Sequence, residues 1–216
     1  ATSGLFRRLD RASMTQACAE YIDGFAADPL TASRHFAETI VSSPPASGVR
    51  RARAMKSRWV DTTPANARAA DRVLALFPEG VVVHMMRDGR DVAASFVSKS
   101  FGPSNVFEAL EAWRERMIEA YRAELACPAG RFVRVDLHAL SVTRRDETLA
   151  TLLEALDAPS DARMSTWFDS HVLAQQAHVG RWRRDYDDAT AQRLDERYEE
   201  ICREFDASGV PYPSTG

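Results

Sequence analysis

Strand-like and helical segments alternate through the middle of this 216-residue chain, and that alternation restricts its fold more than any other feature. "RWVDTTP" at 58–64 reads as a short strand ending in a turn, and "ANARAADRVLALFP" as a helix carrying Val73, Leu74 and Phe77. "PEG" then turns into the strand "VVVHMM" at 81–86, whose valines mark it as buried. "DVAASFVSKS" and "VFEALEAWRERMIEAYRAEL" are helical, the second with Leu110, Trp113, Met117 and Tyr121 at helical spacing. "RFVRVDL" is a further strand, and the helix "DETLATLLEALDA" follows, with Thr143 and Asp146 at capping-box spacing. Strands linked through whole helices run parallel, because a tight turn only reverses the chain. The pattern therefore predicts an α/β fold, a parallel sheet covered by helices on both faces.

The flanks are helical. Residues 12–41 read as two core-facing helices, with Met14, Cys18, Tyr21, Ile22 and Phe25 on one stripe and Phe36 and Ile40 on the next, separated near "DPLT". A last helix near 189–208 presents Leu194, Tyr198, Ile201 and Phe205 inward and stops at Gly209, a plausible residue to close it. After the first pair comes "SSPPASGVRRARAMKSR", which breaks at Pro-Pro and carries Arg50, Arg51, Arg53, Lys56 and Arg58 without apolar periodicity. It reads as a basic loop.

Hydrophobic residues make up 45% of the chain, enough for one domain with a sizeable core, and we expect a single domain over 1–216. Within it, 1–57 forms a helical segment and basic loop, and 58–216 the α/β part. A formal charge of -3 argues against a general nucleic-acid binder and for a small partner. Cys18, Cys127 and Cys202 are widely spaced, with no C-x-x-C pair and no metal-ligand cluster, which fits a reduced, cytoplasmic setting and no metal site. No apolar stretch approaches the ~20 residues of a membrane span. Nothing in the pattern sets an oligomeric state.

The chemistry concentrates in "HMMRDGRDVAAS" at 84–95. In open parallel sheets, ligands sit beyond the carboxyl ends of the strands, and Arg87 occupies that place. A rigid strand end can aim its planar guanidinium at a phosphate, and the helix starting near Gly89 adds free N–H groups and a positive dipole end. Asp88 can cap that helix, and Asp91 can neutralise its first turn or orient Arg90. Taken alone, the same residues also describe a well-capped helix with surface ion pairs.

"RWVDTTPANARAADRVLALFPEGVVVHMMRDGRDVAASF" resembles the central part of sulfotransferases, bacterial type, that use 3′-phosphoadenosine 5′-phosphosulfate. In that family a W-x-x-x-T-P-like segment, a helix ending in L-F-P and a strand ending in R-D-x-R-D-V-x-x-S recur in this order. The resemblance implies a P-loop NTPase-like parallel sheet flanked by helices. It also implies that Arg87 and Ser95 bind the donor's 3′-phosphate, with adenosine 3′,5′-bisphosphate as product and no metal. "HVGRWRRDYDD" at 178–188 is similar to the family's second 3′-phosphate element. By that likeness the Gly180 backbone and the Arg181 side chain or N–H join the phosphate, and Trp182 packs or positions the loop. The acceptor implied is a small molecule, carbohydrate or lipid bearing a hydroxyl or amine, its pocket shaped by the N-terminal helices and the basic loop.

Three departures stand beside the likeness. No Gly-rich cradle for the 5′-phosphosulfate occurs in 1–216, and the chain starts without Met, so a missing N-terminal segment is expected. "DTTP" lacks the lysine many relatives carry before T-P, the nearest being Lys56, and "VRVDLHAL" has His138 where relatives place an acid. Sulfuryl transfer, like phosphoryl transfer, needs positioning, charge stabilisation and a base for the acceptor's proton. Asp61 is the candidate base, or equally the cap of the turn it occupies; His35, His84 and His138 are poorer candidates. Two alternatives stay open: a non-catalytic 3′-phosphonucleotide-binding or scaffold domain, and a nucleotide-dependent phosphotransferase, for which no Walker lysine is present.

Overall fold

The structure, a computed structural model, describes residues 11–42 and 58–213, and divides into two compact units: 1–64 with 72–79, and 65–71 with 80–216. The basic loop at 43–57, with Arg50, Arg51, Arg53 and Lys56, lies outside the described residues.

In the first unit α1 (Arg11–Phe25) and α2 (Pro29–Ser42) form a helical hairpin. Pro29 opens α2, where a missing N–H costs nothing, and the Asp28 carboxylate accepts the Leu30 and Thr31 N–H groups at 3.1 Å. The expected inward stripe is not a core. Two facing helices bury only the seam between them, so Ala17 and Ala32 are buried whereas Ile22 and Phe25 are exposed. Tyr21 stacks beside Phe25 and Phe36 at 5.3 and 5.2 Å. Arg34 binds Glu79 at 2.6 Å, and Trp59 packs edge-on to Phe77 at 5.2 Å.

The segment 58–64 is not a strand. Val60 is exposed, no described strand pairs with it, and the Asp61 carboxylate accepts the Thr63 N–H and hydroxyl at 3.0 and 2.8 Å, which closes a turn instead. Strand propensity without a neighbour to pair with leaves backbone groups to local side chains. A 3₁₀ turn (Asn66–Ala69) leads into α3 (Ala70–Leu76).

The second unit is mostly helical around a small parallel sheet. β1 (Val82–Met86) pairs with β2 (Phe132–Asp136) from Val82↔Phe132 to Met86↔Asp136, and α4 (Gly89–Val97) and α5 (Val106–Leu125) connect them. The parallel pairing is as expected; among the described residues the sheet has these two strands. Met86, Ala93, Leu110, Trp113 and Met117 pack with Leu194, Tyr198, Ile201 and Phe205 of the last helix, α9 (Asp188–Ser208), into one core. Gly209 closes α9 at φ 70°, and the Val210 N–H returns to the Phe205 carbonyl at 3.0 Å.

Three helices lie between β2 and α9: α6 (Arg145–Ala155), α7 (Ala162–His171) and the single turn α8 (Trp182–Asp185). The capping box of α6 does not form. Thr143 lies inside a π-helical turn (Ala139–Thr143) that ends with the Arg144 N–H bonded to Ala139, so Arg144 takes the cap position without a side-chain bond. A second cluster, Val135, Leu140 and Phe168, ties this region to β2.

Candidate functional site

Arg87 is the first residue past β1, which is buried at Val82 and Met86 and exposed at Met85 rather than buried throughout as its valines suggest, and the paired strand fixes where the Arg87 side chain begins. Its Nη2 donates to the His178 carbonyl at 3.1 Å and stands 3.8 Å from Asp91 Oδ2. The side chain is 22% exposed, enough to meet a ligand while its base is held. Asp88, at φ -44° and ψ 124°, caps α4 by accepting the Arg90 N–H at 2.9 Å, as the sequence predicts.

The second arginine of the motif has another task. Arg90 is buried, donates from Nε to Asp88 at 3.0 Å and from Nη1 to Asp195 on α9, and lies over the Trp182 and Tyr198 rings at 4.7 and 4.3 Å. Burial alone depresses its pKa, but hydrogen bonds and charge from Asp88 and Asp195 outweigh that, and the guanidinium stays cationic. Asp91 therefore does not orient Arg90. It turns instead to the loop before α8, accepting the Gly180 N–H at 3.0 Å and the Trp182 N–H at 3.3 Å. Burial raises its pKa above the ordinary carboxylate value, against the opposing pull of those two N–H groups and of Arg87.

These contacts surround a cleft of about 50 Å³ lined by Arg87, Asp91, His138, Gly180, Trp182 and Arg183 among others. His138 enters it from the turn after β2, where its N–H is bonded to Asp136 at 2.8 Å. His178 and Gly180 both have positive φ, 48° and 67°, which folds the loop back toward Arg87. Gly180 suits this backbone; a Cβ there would meet nothing within 4 Å, so its φ is the only constraint.

The sequence-predicted residues separate on this frame. Arg87, Gly180 and Trp182 come together at the cleft. The Gly180 N–H is engaged by Asp91, and the Arg181 N–H by the His178 carbonyl at 3.3 Å. The Arg181 guanidinium pairs with Asp185 at 2.6 Å. Trp182 is buried beneath Arg90, with Arg183 over its ring at 4.1 Å. Ser95 lies further along α4, half-buried, and is not among the cleft-lining residues. Asp61 belongs to the other unit, its carboxylate engaged in the Thr63 turn.

Sequence reasoning missed Arg183 at the cleft, Asp195 as partner of Arg90, and the true target of Asp91. Only the helical spacing of Arg87 and Asp91, four residues apart, signalled that the two could meet. His84 is half-buried, packs edge-on to Phe132 at 5.8 Å, and burial lowers its pKa; it does not line the cleft. Among the described residues no group of three or more His, Cys, Asp or Glu could hold a metal ion, and no helix is long and apolar enough to cross a membrane.

Residues 3–162 match the model of the sulfotransferase family. No curated protein and no solved structure matches the chain. The matched span contains Arg87, Asp91 and Ser95 and ends before the 178–182 loop. With most of its length matched, β1 and the R-D-G-R-D motif included, the chain belongs to the sulfotransferase family, whose reaction is sulfuryl transfer.

Proposed function

We propose that the chain transfers a sulfuryl group from 3′-phosphoadenosine 5′-phosphosulfate to a hydroxyl or amine of a small-molecule, carbohydrate or lipid acceptor, in the cytoplasm. The observation that carries the reading is Arg87. A partly exposed guanidinium, about a fifth open, stands at the carboxyl end of a parallel strand, braced by the His178 carbonyl and lining a small cleft. That cleft has room for a few water-sized groups, the scale of one phosphate rather than a nucleotide. A 3′-phosphate placed there meets Arg87 directly and Arg183 across the cleft, while Gly180 and Trp182 form its wall. In this assignment Arg183 is better placed than Arg181, whose guanidinium is already paired. Ser95, further along α4 and outside the lining of that cleft, is the remaining donor-side residue of the motif.

The reaction asks the protein for alignment and charge neutralisation more than for covalent chemistry, so arginines suffice for the phosphate end and no metal is invoked. Asp61 is the proposed base for the acceptor's proton. Residues 1–57 are assigned to the acceptor side, and the larger P-loop-like sheet flanked by helices is the architecture this function implies. The test is calorimetric titration with adenosine 3′,5′-bisphosphate. Arg87→Ala removes a charge-assisted phosphate contact, and affinity should fall roughly tenfold or more. Equal binding by Arg87→Ala and wild type refutes the site, and binding without transfer to any acceptor indicates a binding domain.

A further inference from the structure

Two walls of the cleft come from distant parts of the chain, α4 and the loop before α8, and the Asp91 side chain hydrogen-bonds across them. Asp91 is 2% exposed, lies in the first turn of α4, and takes hydrogen bonds from the Gly180 and Trp182 N–H groups with its two oxygens. Its Oδ2 is also 3.8 Å from Arg87, which in turn donates to His178 in the same loop. Trp182 anchors the far end of the loop in the core beneath Arg90, while the stretch 178–180 before it is held more lightly. His178 adopts a left-handed backbone that a side chain with a Cβ disfavours, Val179 is exposed, and Gly180 has maximal freedom.

We infer that Asp91 is a positioning residue: through Gly180, Trp182 and Arg87 it locks the 178–182 loop and the strand-end guanidinium into one anion-holding unit. The inference rests on the donor reading above. A competing view treats Asp91 only as a negative charge beside an anion site, and the two views predict opposite signs. Removing a merely repulsive charge tightens binding of a bisphosphate. Removing a clamp lets Arg87 and the loop drift, and displacement on the ångström scale is costly to a site built on alignment.

The experiment is titration of the full chain with adenosine 3′,5′-bisphosphate for wild type, Asp91→Asn, Arg87→Ala and the double variant. Asn keeps the shape and one acceptor oxygen but presents an amide donor where a second acceptor is needed. Asp91→Asn should weaken binding roughly tenfold. Because Asp91 acts in part through Arg87, the double variant should lose clearly less than the sum of the two single losses, whereas an unrelated structural defect adds its full cost. Asp91→Asn binding as tightly as wild type or tighter, or strictly additive losses, overturns the clamp and leaves the donor site standing. Wild type that does not bind fails the donor reading itself and takes this inference with it.

A measurement on wild type alone guards against a variant that misfolds. By NMR the Gly180 and Trp182 amide shifts should titrate together with one carboxyl group, above the ordinary carboxylate range because burial raises Asp91. Independent or absent titration of the two amides also overturns the clamp.

Discussion

Gly89→Ala sets two effects against each other, and the geometry decides the sign. Gly89 is the first residue of α4, and alanine is the better helix former by up to about 1 kcal/mol, less at a helix end. A Cβ at that position would sit 2.5 Å from Trp113 Cε3 and 2.7 Å from Cδ2 and Cζ3. That is about 1 Å inside normal carbon contact. Trp113 cannot simply move away. It is buried in the core and packs on the Tyr198 and Phe205 rings at 5.5 and 5.6 Å. Overpacking of this kind costs about 1–3 kcal/mol, so after the propensity gain the variant should lose about 1–2 kcal/mol. In a domain of this size that lowers Tm by roughly 2–8 °C. Thermal and urea unfolding followed by circular dichroism measure it, and the same substitution in a Trp113→Leu background should be neutral or stabilising. An unchanged or raised Tm in the single variant refutes the argument that close approach to Trp113 requires glycine in the R-D-G-R-D motif.

Two further outcomes follow from the buried charges. Arg90→Met leaves Asp88 and Asp195 without their cation and should cost about 2–4 kcal/mol of unfolding free energy, less than a fully enclosed triad because Asp195 is partly exposed. A loss below about 0.5 kcal/mol in urea melts would show that the network stabilises nothing. The raised Asp91 pKa has a definite sign in linkage: the native state takes up its proton at higher pH than the unfolded chain, whose ordinary value is 3.8. As pH falls through the native pKa toward that value, Asp91 contributes increasing stability, and Asp91→Asn lacks it. The stability difference, wild type minus variant, should therefore grow in wild type's favour between neutral pH and about pH 4, and a difference that shrinks on acidification contradicts the burial of this carboxyl.

Much of the second unit was legible because local pattern and burial agree there. The valines before His84 and the segment 132–136 become paired parallel strands, and the α9 stripe of Leu194, Tyr198, Ile201 and Phe205 is buried as its spacing requires. Asp88 caps α4 for the local reason its position implies. Where a partner was needed and not visible, the reading failed. "RWVDTTP" has strand composition, but a strand is completed by its neighbour, and Asp61 turned the chain instead. Ile22 and Phe25 have helical spacing without a surface that covers them. Thr143 and Asp146 have the right separation, but the preceding π-helical turn claims the backbone that a cap needs.

By itself the sequence determined most of the helices, the parallel pairing of β1 with β2 and the place of Arg87 at a strand end, because 3.6- and 2-residue periodicities and capping act over a few residues. The tertiary structure decided which charge serves which task. Arg90 and Asp91 are adjacent in sequence, yet one is sealed between Asp88, Asp195 and two aromatic rings, while the other reaches the loop before α8. That choice rests on contacts across some ninety to a hundred residues of chain, and only folding brings such partners within the reach of a hydrogen bond.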